Sequence, residues 1–172
     1  MRSAALADVA TLQELNESAI PHVTSMTIDA CAQLLGQSSI ALVALDEDHA
    51  TVPPIGFCLV LGPGLDYPSV NYRWVMDRYE DALYLDRVVV TAACRGQGVG
   101  QRIYAEVERR MRAEWPQFGS LALEVNLDPP NPESLAFHRK LGFEAIGEQT
   151  TPYGARVLLM AKPVRGRPDT VG

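Results

Sequence analysis

The chain has 172 residues, 47% of them hydrophobic and 21% charged, with a formal net charge of −6. That length suits one domain with a core of its own, and the composition is that of neither a disordered chain nor a membrane protein. The acidic balance argues against nucleic acid as a partner, and no apolar run reaches the roughly 18 residues of a membrane span.

"MRSAAL" reads as a first strand, and Asp8 as the cap of a helix with Val9, Leu12 and Leu15 on one face. Its single basic residue and lack of a long apolar stretch predict no signal peptide, and hence a cytoplasmic protein. The three scattered cysteines, Cys31, Cys58 and Cys94, fit a reducing compartment better than a disulfide framework, and no metal site is expected. "TSMTIDACAQLLG" reads as a second helix, with Ile28, Cys31 and Leu35 at helical spacing and Gly36 as its stop. "SIALVALDE" and "IGFCLVLGPG" read as strands joined by the turn-rich "DHATVPP". Residues 65–82 have weak periodicity and several aromatics; a loop with one helical turn is expected there.

"LYLDRVVV", Leu83 to Val90, is strongly β-type. Beyond it Ile103, Val107 and Met111 recur every four residues between charged ones, an amphipathic helix ended by Trp115-Pro116. "SLALEVNL", residues 120–127, is the next strand. Asn131-Pro132-Glu133 starts a helix with an N-cap, a proline at the first position and an acid in the first turn; Gly142 ends it. "FEAIGEQ" and "RVLLMAK" close the pattern as strands around a turn near Pro152-Tyr153-Gly154, and the basic tail is read as a frayed terminus. The order β-α-α-β-β-β-α-β-α-β-β predicts a mixed α/β sheet domain.

One stretch asks for a ligand. "VVVTAACRGQGVGQRIY", residues 88–104, passes from a β-branched strand through Gly96, Gly98 and Gly100 into a helix, with Arg95 just ahead. Backbone N–H groups at such a helix start form an anion site, so a phosphate carrier is expected. A P-loop would need Lys-Ser/Thr after the last glycine, and here Gln101-Arg102 follows. A dinucleotide site would need G-x-G-x-x-G and an acid at the end of the next strand. Here the spacing is G-x-G-x-G, and the nearby acid, Glu124, falls mid-strand. Glycines that serve a tight turn alone remain an open reading.

The same stretch resembles the pyrophosphate-binding motif of the GNAT superfamily of N-acetyltransferases, Arg/Gln-x-x-Gly-x-Gly/Ala, with Arg95-Gly96-Gln97-Gly98-Val99-Gly100 as the whole loop. "NPESLAFHRKLGFEAIG" is similar to the family's C-terminal motif of an Asn, a short helix and "KLGF" leading into a strand. The resemblance implies a single GNAT-like α/β (α+β) domain over residues 1–162, with a central mixed, mostly antiparallel sheet and flanking helices. Residues 163–172 would be a flexible tail. It implies acetyl-CoA as acyl donor, without metal. The contacts would come from Val88, Val89 and Val90, whose strand pairs with the pantetheine arm as if with a strand, and from the loop Arg95 to Gln101. Asn131 and His138 would add to them, since Asn131, Ser134 and His138 share a helix face.

The implied chemistry is direct attack by an amine on the thioester, so one group must take the amine's proton and another supply the thiolate's. Asp86, Tyr84 and Glu124 are candidates for the base. Asp86 is either a cleft acid or a salt-bridge partner, and a mid-strand acid is costly to bury unpaired. Many family members carry tyrosine where this chain has His138, placed to protonate the thiolate. His138 is a candidate acid, with a reference pKa of about 6.5 against about 10 for tyrosine, or only a residue of the cofactor channel. Cys94 is expected to be a small buried residue and not a nucleophile. Tyr72, Trp74, Asp77 and Tyr84 are expected to serve the acceptor, a small-molecule or peptide amine. A homodimer and a non-catalytic CoA-binding or sensor domain stay open.

Overall fold

The computed structural model describes residues 1–46 and 53–164. Most of the "DHATVPP" turn and the tail from residue 165 lie outside the described residues. In chain order the elements are β1 Arg2–Ser3, α1 Val9–Glu17, α2 Ile28–Gln37, β2 Ser38–Ala44, β3 Gly56–Leu61, α3 Val70–Met76, β4 Ala82–Val90, α4 Val99–Glu114, β5 Ser120–Asp128, α5 Pro132–Lys140, β6 Glu144–Thr150 and β7 Arg156–Pro163. The chain divides into two compact units, one made of Met1–Leu61 and Leu85–Val107, the other of Gly62–Tyr84 and the chain from Glu108 onward.

In the first unit β1, β2 and β3 form an antiparallel ladder, with Arg2 opposite Val43 and Ala41 opposite Leu59. β3 is buried along its whole length, which explains its unbroken apolar run. Four expectations need correction here. The first strand spans two residues, not six, because Asp8 folds the chain back. Its carboxylate accepts from the Arg2 guanidinium at 2.7 Å on each oxygen and from Ala5 N at 2.8 Å. Asp8 therefore ties a turn and makes no side-chain cap to α1. Gly36 does not end α2: the helix runs through it to Gln37 and passes directly into β2. Ile28, expected on the apolar face, is exposed, and Leu34 is buried with Cys31 and Leu35.

In the second unit β4 runs parallel to β5, with Ala82, Leu83 and Tyr84 opposite Ser120, Leu121 and Ala122. β7 lies between β5 and β6 and is antiparallel to both, so the final strand of the described chain is an interior one. Residues 70–76 are a seven-residue helix, about two turns where a loop with one helical turn was expected; Ser69 Oγ caps it by accepting from Tyr72 N at 3.2 Å. β4 has residues in both units, and the complete strand order is β1-β2-β3-β4-β5-β7-β6. The architecture is an α/β fold on a seven-stranded, mostly antiparallel sheet. Ile103, Val107 and Met111 of α4 are fully buried, as their spacing predicts.

Candidate active site

The glycine loop follows β4 in the first unit. After a short 3-10 turn at Ala92–Cys94, Gly96 and Gly98 adopt φ of +75° and +79°, and α4 begins at Val99. These two glycines are needed for the left-handed backbone itself, since an L side chain there costs about 1–2 kcal/mol. Arg95, Gly96 and Gln97 are exposed. Arg95 Nε donates to Val90 O at 3.3 Å and Gln97 Nε2 to Ala93 O at 2.9 Å, so both side chains brace the loop's approach from the strand. Gly100 and Gln101 lie in the first turn of α4, where backbone N–H groups have no intrahelical partner. The loop thus offers exposed N–H donors at the positive end of a helix, which fits an anionic group such as a pyrophosphate. Cys94, expected to be buried, is half-buried on the exposed 3-10 turn.

On β4 Val89 is buried, while Val88 and Val90 are half-buried. Asp86 is paired: Arg87 Nε donates to its Oδ2 at 3.0 Å, with the Arg87 and Asp86 side chains only 11% and 6% exposed. Arg87 also reaches Thr24 and Asn16, a role that sequence inspection missed because the partners lie 63 and 71 residues away.

Among the expected residues of the second unit, Tyr84 and Glu124 come together. The fully buried Tyr84 donates its hydroxyl to Glu124 Oε2. Tyr84 forms the last pair of the parallel ladder, and Glu124 stands two residues further along β5. On α5, Asn131 Oδ1 accepts from Ser134 N at 3.1 Å, so Asn131 spends its side chain on the cap.

His138 is 4% exposed and packs edge-on to Phe137 and Phe143. Its Nδ1 lies 2.8 Å from the carbonyl oxygen of Ser134 and 3.2 Å from Ser134 Oγ. A carbonyl only accepts, so Nδ1 carries the proton, and in the neutral ring Nε2 is the acceptor nitrogen. Burial lowers the pKa of His138, partly offset by the bond to Ser134 O. A neutral ring of this tautomer has no proton at Nε2 to give, which argues against the acid role.

Of the residues expected to serve the acceptor, Tyr72 packs edge-on to Tyr84, their ring centres 5.7 Å apart. Tyr72 is buried; its hydroxyl donates to Gly62 O at 2.8 Å and accepts from Leu65 N at 3.1 Å, which makes it a brace for residues 62–72. Trp74 is half-buried, stacked with Tyr79 and covered by the Arg78 guanidinium at 4.4 Å from the ring centre. Asp77 is exposed at the C-cap of α3. Gly147 of β6 was not singled out in sequence, yet a Cβ there would stand 2.6 Å from the Trp74 ring. Among the described residues no group of His, Cys, Asp and Glu is arranged to hold a metal ion, and no helix is long and apolar enough to cross a membrane.

The model of the acetyltransferase (GNAT) family matches residues 9–143, and the chain belongs to that family. It is similar in structure to the ribosomal-protein-S18-alanine N-acetyltransferase of Escherichia coli, with 14% identity, coverage of 99% of this chain and 97% of that one, and a TM-score of 0.70. It is also similar to Ard1 from Thermoplasma volcanium (15% identity, 96% and 97% covered, TM-score 0.75). The ribosomal-protein-alanine N-acetyltransferase of Brucella melitensis matches at 24% identity, 94% and 98% covered, TM-score 0.68. At these identities the likeness speaks for the fold. No curated protein sequence matches the chain.

Proposed function

We propose that the protein transfers an acetyl group from acetyl-CoA to a primary amine by direct attack in a ternary complex. The observation that carries the reading is the pair of left-handed glycines, Gly96 and Gly98, that lead into the N-terminus of α4, where backbone N–H groups have no intrahelical partner. In this reading Arg95 to Gln101 hold the pyrophosphate, and the backbone of Val88 to Val90 pairs with the pantetheine arm. The donor supplies an activated thioester. The amine nitrogen bonds to the thioester carbon, the carbon–sulfur bond breaks, and the nitrogen's extra proton leaves to a base.

Glu124 is the proposed base. Its carboxylate is oriented by the Tyr84 hydroxyl. The thiolate takes its proton from solvent, since His138 is better suited to accept at Nε2 than to donate. Asn131 and His138 are then parts of the cofactor channel. The acceptor is an amine of a small molecule or a peptide; the similar Escherichia coli protein is a ribosomal-protein-S18-alanine N-acetyltransferase. Trp74 and Asp77 are the proposed contacts to it.

The test combines CoA calorimetry with thiol release from acetyl-CoA against propylamine, spermidine, an aminoglycoside, an alanine-initiated tetrapeptide and a lysine peptide. The expected result is CoA binding and release of thiol with at least one amine. Glu124→Gln should lower kcat by about 10²-fold or more while CoA affinity stays within about twofold. CoA binding with no thiol release from any amine would establish the non-catalytic CoA-binding reading instead.

A further inference from the structure

A row of residues runs straight across the strands of the second unit. Glu124 of β5 stands opposite Leu159 of β7, and Leu159 stands opposite Gly147 of β6. Residues directly opposite in a ladder point to the same face, and neighbouring strands lie about 4.8 Å apart. Gly147 therefore marks a point about 10 Å from Glu124, on the face that carries the Glu124 carboxylate.

That face is covered by α3. A Cβ on Gly147 would stand 2.6 Å from the Trp74 ring, so the indole rests on bare backbone there. Two residues further along β6, Gln149 Nε2 donates to Asn71 Oδ1 at 2.8 Å. On the other side Tyr72 lies edge-on to Tyr84 of β4, the residue whose hydroxyl meets Glu124. Three contacts thus seat one helix between β4 and β6, and Leu159, in between, is fully buried. From β4 to β6 the strip measures three strand spacings, about 14 Å. A seven-residue helix is about 10 Å long and about 10–12 Å across with its side chains, so α3 fills it. Glu124 itself is half-buried, so its residue still meets solvent beside the helix.

A polypeptide acceptor brings flanking backbone with it, whether it offers its N-terminus or a lysine. An extended chain laid on this face would need the strip that α3 occupies. A free amine has no flanking chain and needs only the opening beside Glu124. We infer that α3 is a fixed cover that restricts the acceptor to small-molecule amines by excluding polypeptides from the face of β5, β7 and β6. The inference rests on the transferase reading above, with Glu124 as base, and narrows its acceptor from two classes to one. Exclusion of the wrong partner by a clash confers specificity without tight contacts to the right one.

The experiment measures kcat/KM by thiol release from acetyl-CoA for every amine of the panel named above, in wild type, Trp74→Ala and Gln149→Ala. CoA affinity and melting temperature are read alongside. In wild type the best of propylamine, spermidine and the aminoglycoside is expected to exceed both peptides by about 10²-fold or more in kcat/KM. Trp74→Ala removes the ring from Gly147, and Gln149→Ala unties the helix from β6. Each should raise kcat/KM for the alanine-initiated tetrapeptide by about tenfold, with CoA affinity within about twofold. A gain on peptide does not come from a merely damaged site, and Gln149→Ala carries this arm if Trp74→Ala does not fold. A peptide used by wild type as well as the small amines would overturn the inference, and so would folded variants with no gain on peptide. If wild type binds CoA but uses no amine at all, the transferase reading fails and takes the inference with it, a result distinct from a preference for peptides.

Discussion

Gly96 and Gly98 share a backbone conformation but not the same surroundings. A Cβ at Gly96 would meet nothing within 4 Å, and one at Gly98 would meet only Gln101 Oε1 at 3.7 Å, an ordinary contact. Steric conflict inside the protein is thus no reason for either glycine; handedness is, and any further reason must lie with the ligand. Asparagine tolerates the left-handed region better than alanine. Gly98→Ala is therefore expected to cost about 1–2 kcal/mol of stability and weaken CoA binding. Gly98→Asn should recover most of the melting temperature but not the CoA affinity. Recovery of both would leave the glycine to the turn alone. The glycines were legible in the sequence, whereas their φ values were not.

His138 sets a second expectation at this scale. Its folded pKa lies below the reference 6.5, so between the two values the unfolded chain binds the proton and the folded chain does not. Stability is then fully present above pH 6.5 and falls as the pH drops below it. His138→Gln should flatten that slope in melts taken from pH 5 to pH 8. In the natural protein kcat should show no falling limb from His138 as pH rises from 6.5 to 8, and such a limb would restore the acid role. The sequence identified the position but not the tautomer, because the partner that fixes the proton is a backbone carbonyl.

Among the elements, α3 was the one the sequence concealed. Seven residues give less than two full turns, too few for a 3.6-residue period to show, and half its reason for being helical is the surface it packs on. Trp74 lies against Gly147 of β6, and Gln149 Nε2 donates to Asn71 Oδ1 at 2.8 Å. Gly147→Ala would drive a methyl group into the indole, at 2.6 Å and 2.7 Å from two ring carbons, so the helix must shift. The expected cost is about 1–3 kcal/mol, with a change in tryptophan fluorescence. If α3 lines the acceptor, the amine KM rises as well while CoA affinity holds. Unchanged fluorescence and KM would detach α3 from the acceptor. By contrast α4 and α5 were readable, the first from buried residues every four positions and the second from Asn131, Pro132 and Glu133, since those signals are local.

For the molecule as a whole, alternation and turn residues led to the kind and order of most elements, because they act over a few positions, while the mostly antiparallel sheet was implied by the resemblance to the GNAT family. Pairing is another matter. Nothing in "FEAIGEQ" or "RVLLMAK" states that the second of them sits next to β5, yet Val125 faces Leu158 and Leu123 faces Met160. That arrangement has a temporal consequence. Synthesis makes β5 first and β6 next, but their common neighbour comes last, so neither can complete its ladder until residue 163 exists. During that interval the edge of β5, rich in leucine and valine, presents unpaired backbone groups, the kind of surface that invites aggregation. At about 5–20 residues per second the exposure from Asp128 to Pro163 lasts a few seconds, and chaperones would act on this half of the chain during it.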